Sequence, residues 1–239
     1  MSNRMRRGLL GLVGIGLCTL FCGRAMAGSH TWDVHEVFSN ASGSIQFIEL
    51  KECCGGCCET FVPGHQTTSI ALGNSFVIPP PNLAQPTGFR HLLLATPAFA
   101  AQSGAPMPDY VFPAGSVPFF SNSANETVAY TPWDTFTFAA GVLPTDGINS
   151  IEVVNHLTDQ FVVGCNSPTN YAGQTGSINA TCILQGDVNR DGVLNGLDVS
   201  AFVRAKLGLS QPGEIPACAE YCTGSLAGDV AAFASDLLS

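Results

Sequence analysis

Asp187, Asn189, Asp191, Asn195 and Asp198 place side-chain oxygens at positions 1, 3, 5, 9 and 12 of one twelve-residue segment. Gly192 stands at position 6, where such a segment must turn sharply, and the backbone carbonyl of Val193 supplies position 7. Alternate residues of a tight loop aim their oxygens into one concave space, so the spacing builds a set of hard oxygen donors. The chemistry that suits such a set is coordination of Ca2+. Arg190, inside the segment, offsets part of the charge of the three carboxylates, and the dissociation constant is expected at roughly 10⁻⁶ to 10⁻³ M.

The other residues with chemical potential are the cysteines of Cys53-Cys54-Gly55-Gly56-Cys57-Cys58. Cys54 and Cys57 form a Cys-x-x-Cys pair, which can hold Zn2+ or cycle as a redox couple. Cys165 and Cys182 form no second such pair, and a redox motif of that kind needs a βαβ context that the surrounding sequence lacks. The N-terminus favours a third use. Arg4, Arg6 and Arg7 precede an apolar stretch from Gly8 to Phe21, and Ala25-Met26-Ala27 reads as a small-x-small cleavage site, so 1–27 is expected to be a secretory signal. The stretch is short for a membrane span. Secretion takes Cys18 and Cys22 with the signal and leaves an even set of disulfide candidates: Cys53, Cys54, Cys57, Cys58, Cys165, Cys182, Cys218 and Cys222. Their pairing does not follow from the sequence, although Cys218 and Cys222 stand close enough to bond to each other and brace the C-terminal segment.

Cleavage after Ala27 removes four of the nine Lys and Arg residues against none of the eighteen acidic ones, a net charge of about −13. A surface so acidic argues against nucleic acid or an anionic membrane as partner. No Gly-x-Ser-x-Gly elbow, His-Glu-x-x-His pair or phosphate loop is present. His35, His65, His91 and His156 are scattered among β-rich runs and read as surface or satisfied core residues. Glu49, Glu52 and Glu59 read as solvated surface, with nothing to place two of them across a cleft as a glycosidase requires. Trp32, Trp133 and Tyr130 could stack on sugar rings, but read first as core or interface anchors.

The elements that must position these groups fall into two kinds. From His30 to Cys182 short apolar runs alternate with Gly, Pro, Asn and Ser breaks. The predicted strands are 31–38, 44–51, 69–78, 91–95, 109–112, 127–130, 135–138, 148–154 and 161–163. Many short strands at such intervals imply a mainly β sandwich or barrel. Thr96 to Ala101 is expected to form a single helical turn, and Pro79-Pro80-Pro81 a stiff surface connection. After the oxygen-rich loop a helix is predicted from Asp198 to Gly208, with Val199, Phe202, Val203 and Leu207 as its apolar stripe. A second helix is predicted from Asp229 to Leu238, because Asp229-Val230-Ala231-Ala232-Phe233 echoes Asp198-Val199-Ser200-Ala201-Phe202. Counting back from Asp229 puts Cys218, Glu220 and Cys222 at positions 1, 3 and 5 and Thr223 at 6, so this second loop is degenerate and a single calcium site is expected.

The loop, Asp rather than Glu at its twelfth position, and one following helix together resemble a repeat of the type I dockerin family. The resemblance implies a small α-helical calcium-binding module at 183–239. It further implies a cohesin-like or intramolecular partner, selected by the residues at positions 10 and 11, Gly196 and Leu197, and on the helix by Val203 and Arg204. Upstream, His35-Glu36-Val37-Phe38-Ser39-Asn40 and Phe47-Ile48-Glu49-Leu50 resemble the opening hairpin of lamin-tail-type domains. That likeness implies a non-catalytic Ig-like β-sandwich over 28–182. The expected protein is therefore secreted or at a cell surface and bound to Ca2+. Its β part is expected to serve adhesion or a surface matrix. The competing expectation is a polysaccharide-binding or polysaccharide-degrading protein carrying a dockerin-like module.

Overall fold

The structure is a computed structural model that describes residues 28–239, so the expected signal segment 1–27 lies outside the described residues. It is mainly β, with two sheets and two α-helices. The centre is a hairpin of β1 (Trp32–Ser39) and β2 (Gln46–Glu52), both rich in the β-branched and aromatic residues that suit a pleated surface. Its register pairs Val34 with Leu50 and Val37 with Ile48, and shifts between Val34 and Glu36, which leaves His35 at a bulge. β5 (His91–Ala95) joins the free edge of β2, and β6 (Tyr110–Val111) lies parallel to β5. On the other side β9 (Asn149–Asn155) pairs with β1, and β10 (Gln160–Cys165) with β9. The second sheet runs β4 (Ser75–Val77), β3 (Gln66–Ser69), β7 (Glu126–Thr131), β8 (Asp134–Phe138).

The two sheets share one core, in which Trp32, Val34, Ile48, Leu50 and Leu94 meet Val128, Tyr130, Phe136 and Phe138. Even-numbered residues of β2 point into it, and period-two alternation sends Phe47 and Glu49 to the opposite face. That face is not left to solvent. Phe38, Phe47, Leu93 and Ala95 pack there under Phe99 and Ile178 as a second core. The strap between Cys165 and Cys182 covers the rest, pinned by Asn166, whose amide donates to the carbonyls of Ile148 and Ile178.

Several expectations change. The run 69–78 is not one strand: it folds back at Leu72-Gly73-Asn74 into β3 and β4, with Ser69 N–H donating to the Asn74 carbonyl at 2.9 Å. At Thr96 a hydrogen-bonded turn forms as expected, Phe99 N–H donating to the Thr96 carbonyl at 3.0 Å, but its cap differs. The Thr96 hydroxyl accepts from Gln46 N–H, and so ties the turn to β2 instead of capping a helix. Glu49, Glu52 and Glu59 are buried, not solvated: Glu49 lies on the covered second face of the first sheet, Glu52 at the end of β2 and Glu59 in the loop beyond it, and each carboxylate finds donors there. Glu52 accepts from the N–H groups of Gly55, Gly56 and Phe89 and from the Thr31 hydroxyl. These bonds hold it below the usual carboxylate range against the effect of its burial. Glu59 accepts from His30 N–H at 2.9 Å.

The C-terminal segment has a third core of Val188, Ala201, Phe202, Cys218, Ala219 and Phe233. α1 (Asp198–Lys206) stops before Gly208, whose φ of +70° closes it as expected. α2 (Leu226–Leu237) begins three residues earlier than predicted, since the Ser225 hydroxyl accepts from Gly228 N–H and caps it there. The sequence echo is realised in packing: Phe202 and Phe233, each four residues after its aspartate, stack with centroids 4.1 Å apart. The stripe on α1 divides. Phe202 turns into the core with Ala201, whereas Val199, Val203 and Leu207 remain exposed.

All eight described cysteines are bonded. The pairs are Cys53–Cys54, Cys57–Cys58, Cys165–Cys222 and Cys182–Cys218. Cys218 and Cys222 are therefore not joined to each other, because the intervening 3-10 turn (Pro216–Ala219) and the Glu220–Cys222 segment present them to different neighbours. Four disulfides indicate an oxidising environment. No helix among the described residues is long and apolar enough to cross a membrane.

Candidate functional site

Within Asp187–Asp198 the odd and even residues part company. Val188 is buried in the third core and Leu194 packs partly against it, so two apolar anchors hold the loop to the helices. Gly186 lets the chain enter at φ +87°, where a Cβ would sit 2.8 Å from the Tyr221 hydroxyl and 2.9 Å from a Leu194 methyl. Gly192 turns the loop at φ +84°, the position-6 turn that its spacing required.

Three carboxylates of the loop face one another. Carboxylate oxygens of Asp187, Asp191 and Asp198 lie within 4.8 Å of one another. Asp187 accepts from Gly192 N–H at 3.0 Å and from Asp191 N–H at 3.2 Å. Asp198 is fully buried at the start of α1 and accepts from Asn189 N–H and Asn195 N–H, so it closes the loop end to end. The Asn189 side chain accepts from Asp191 N–H and donates to the Asp191 carboxylate. The Asn195 amide donates to the Val193 carbonyl at 3.3 Å, while its oxygen accepts from Leu197 N–H. The structure brings together the carboxylates of Asp187, Asp191 and Asp198, while the Asn189, Val193 and Asn195 oxygens accept hydrogen bonds within the loop, and the donors on offer are oxygen alone. That composition suits a hard divalent cation of the Ca2+ kind and suits poorly a softer one.

The sister half makes the comparison within one molecule. There Lys206, from the end of α1, reaches across to Glu220 at 3.0 Å and to Asp229, the residue equivalent to Asp198. Thr223 donates to the same Asp229 through its hydroxyl and its N–H. Burial alone would raise Asp229, but Lys206 and Thr223 hold it below the usual carboxylate range. Burial would likewise lower Lys206, yet its two carboxylates keep it above the usual lysine range. An ammonium thus stands where a second loop of this kind would need a cation. Sequence reasoning found the degenerate loop and missed Lys206, which comes from the other repeat. The three carboxylates of the first loop have no such lysine or arginine within 4.0 Å among the described residues.

The four residues singled out for partner contact divide. Gly196, Leu197 and Val203 are exposed, and the Arg204 guanidinium is turned onto Glu214, which accepts from its Nε at 3.0 Å. Of the three aromatic candidates for sugar stacking, Trp32 and Tyr130 belong to the core and Trp133 is half exposed. The cluster at Cys53–Cys58 presents two disulfides between neighbours and no free thiol for a metal.

Elsewhere the outer face of the first sheet gathers a second polar group that the sequence did not suggest. The His91 ring meets Glu49 at 2.6 Å, and His35 lies beside both. Burial, with Lys51, His91 and His156 nearby, pushes His35 down to about 3, against a backbone hydrogen bond at Val153. Burial, with Glu49 alongside, pushes Glu36 up to about 7, against hydrogen bonds from Ser150 and Ser167. Compared with models of protein families, with curated proteins and with solved structures, the chain gives no match.

Proposed function

We propose that this is an exported, non-catalytic protein whose C-terminal segment is a docking element built by one Ca2+, with the two-sheet part in an adhesive or surface-matrix role. The observation that carries the reading is the contrast between two halves of one repeat. Three carboxylates converge in the first loop with no Lys or Arg within 4.0 Å among the described residues, and in the second Lys206 pairs with Glu220 and Asp229. Buried charges are paired or coordinate a cation, and two of the three first-loop carboxylates are buried.

Ca2+ at Asp187, Asp191 and Asp198 would fix the start of α1, and with it the exposed apolar row Leu197, Val199, Val203 and Leu207. This row is the docking face, and the dockerin resemblance makes a cohesin-like domain its partner. The signal-like N-terminus and the four disulfides both support export. In the test, Leu197→Asp with Val203→Asp is compared with the unchanged chain for binding to a purified cohesin-like domain, in millimolar calcium and in chelator. Binding that needs calcium and is lost in the double variant supports docking through this face. Binding that is indifferent to both chelator and substitution would sink it.

One observation favours a second reading. Trp133 is 49 % exposed and lines an open cavity of about 600 Å³ with Asp134, His156 and Asp159, polar groups beside an exposed aromatic face. Soluble glycans that quench Trp133 fluorescence, with the effect absent in Trp133→Ala, would favour polysaccharide as the ligand of the β part.

A further inference from the structure

We propose that His35, Glu49 and His91 form a site for a zinc-class divalent cation on the outer face of the first sheet, with Glu152 as the fourth ligand. The four residues come from adjacent strands, β9, β1, β2 and β5, in that spatial order. A hydrogen-bonded sheet therefore fixes their spacing. His35 is at the bulge of β1, the one place in that strand where the regular register is broken and a side chain is re-aimed.

Three contacts distinguish the group from an ordinary His–Glu pair. One oxygen of Glu49 already has a hydrogen bond from the His91 ring at 2.6 Å. The His35 Nε2 is nevertheless brought to 4.0 Å from that same oxygen and to 3.7 Å from Glu152, too far for a hydrogen bond to either. The two imidazoles stand edge to face with centroids 5.5 Å apart. Ligand atoms of His35, Glu49 and His91 lie within 4.8 Å of one another. Around zinc, bonds of about 2.0–2.2 Å put neighbouring ligand atoms about 3.3 Å apart, between the closest and the widest separations seen here.

The surroundings fit the same role. The second oxygen of Glu49 accepts from Thr169 N–H, so the strap over the sheet orients the carboxylate from behind, as outer-shell groups do at metal sites. Glu49 and Glu36 are both buried side by side on paired strands, and Glu152 lies next to Glu36 on β9. Lys51 is the cation near them on β2. Two imidazole nitrogens with carboxylate oxygens select a borderline cation such as Zn2+ over Ca2+, so the two sites of the molecule would not compete. The half-buried rings keep an edge toward solvent, through which an ion can enter.

The test uses the full disulfide-bonded chain with its calcium loop saturated. Titration with Zn2+ should show one further site, and Co2+ in its place should give the strong visible bands of four-coordinate nitrogen and oxygen ligation. His35→Ala and His91→Ala should each weaken Zn2+ binding by about 100-fold or more, since loss even of outer-shell support typically costs 10–100-fold. Asp187→Ala with Asp198→Ala should leave it unchanged. His91 also bonds Glu49, so a fall in stability of that variant is checked by near-ultraviolet circular dichroism. His35→Ala, which removes no hydrogen bond to a carboxylate, then decides alone. No Zn2+ retained at micromolar concentration, binding indifferent to His35→Ala, or thiolate charge-transfer bands with Co2+ would overturn the proposal.

Discussion

Lys206 carries its charge to the point that the second loop would otherwise leave to a metal ion. Removing it as Lys206→Met strands Glu220 and the buried Asp229 together, and a cost of about 1–3 kcal/mol is expected in urea denaturation. Calcium affinity at the first loop should be little changed. The pair also sets a pH window. Asp229 is held below its ordinary 3.8, so its share of the stability is present above about pH 4 and is lost as acid takes the pH through its folded value. Lys206 is held above 10.5, so its share is present below that pH and is lost as base rises through its folded value. Glu36 has the opposite sign from Asp229. Its folded value near 7 lies above the ordinary 4.5, so its contribution is full below pH 4.5 and is lost as the pH rises through 7. Glu36→Gln should accordingly gain on the unchanged chain between pH 4.5 and 7.5, read as the difference of their melting midpoints in chelator. A constant difference across that range would contradict the assignment.

The first loop was legible at the level of elements because its oxygens, its position-6 glycine and its helix are all contiguous in the chain. Gly186 was not part of that pattern, yet it is the hinge that seats the loop. A methyl there meets Tyr221 and Leu194 with φ already at +87°, so Gly186→Ala should destabilise the helical segment by about 2 kcal/mol or more, seen as an earlier loss of helical circular dichroism on heating. What the sequence left hidden is what arrives from a distance. Lys206 belongs to the other half of the repeat, the strap from 166 to 180 closes over Glu49, and the bulge at His35 depends on strand register. The β class was legible from short apolar runs and their breaks. Burial of Glu49 was not, because alternation alone reads one face of a sheet as solvated, and here both faces are covered.

Across the whole molecule, covalent bonds join the two parts that the sequence divides at Cys182. Cys165–Cys222 and Cys182–Cys218 cross that boundary, and the Asn179 amide donates to the Ala217 carbonyl. A fragment cut at 183 would lose the partners of both Cys218 and Cys222, so coupling between metal and fold has to be read in the full chain. The Cys165–Cys222 bond spans 57 residues, and Cys165→Ser with Cys222→Ser should cost up to about 4 kcal/mol of the stability of the helical segment while the β signal persists. Chelator should act in the same direction on the same helices, since Ca2+ at 100 times its dissociation constant contributes about 2.7 kcal/mol to the fold that binds it. The most direct test is calorimetric titration of the full oxidised chain with Ca2+. The account predicts one site, abolished by Asp187→Ala with Asp198→Ala and retained in Lys206→Met. Two sites of comparable affinity, or heat of binding that the double alanine variant leaves intact, would contradict it.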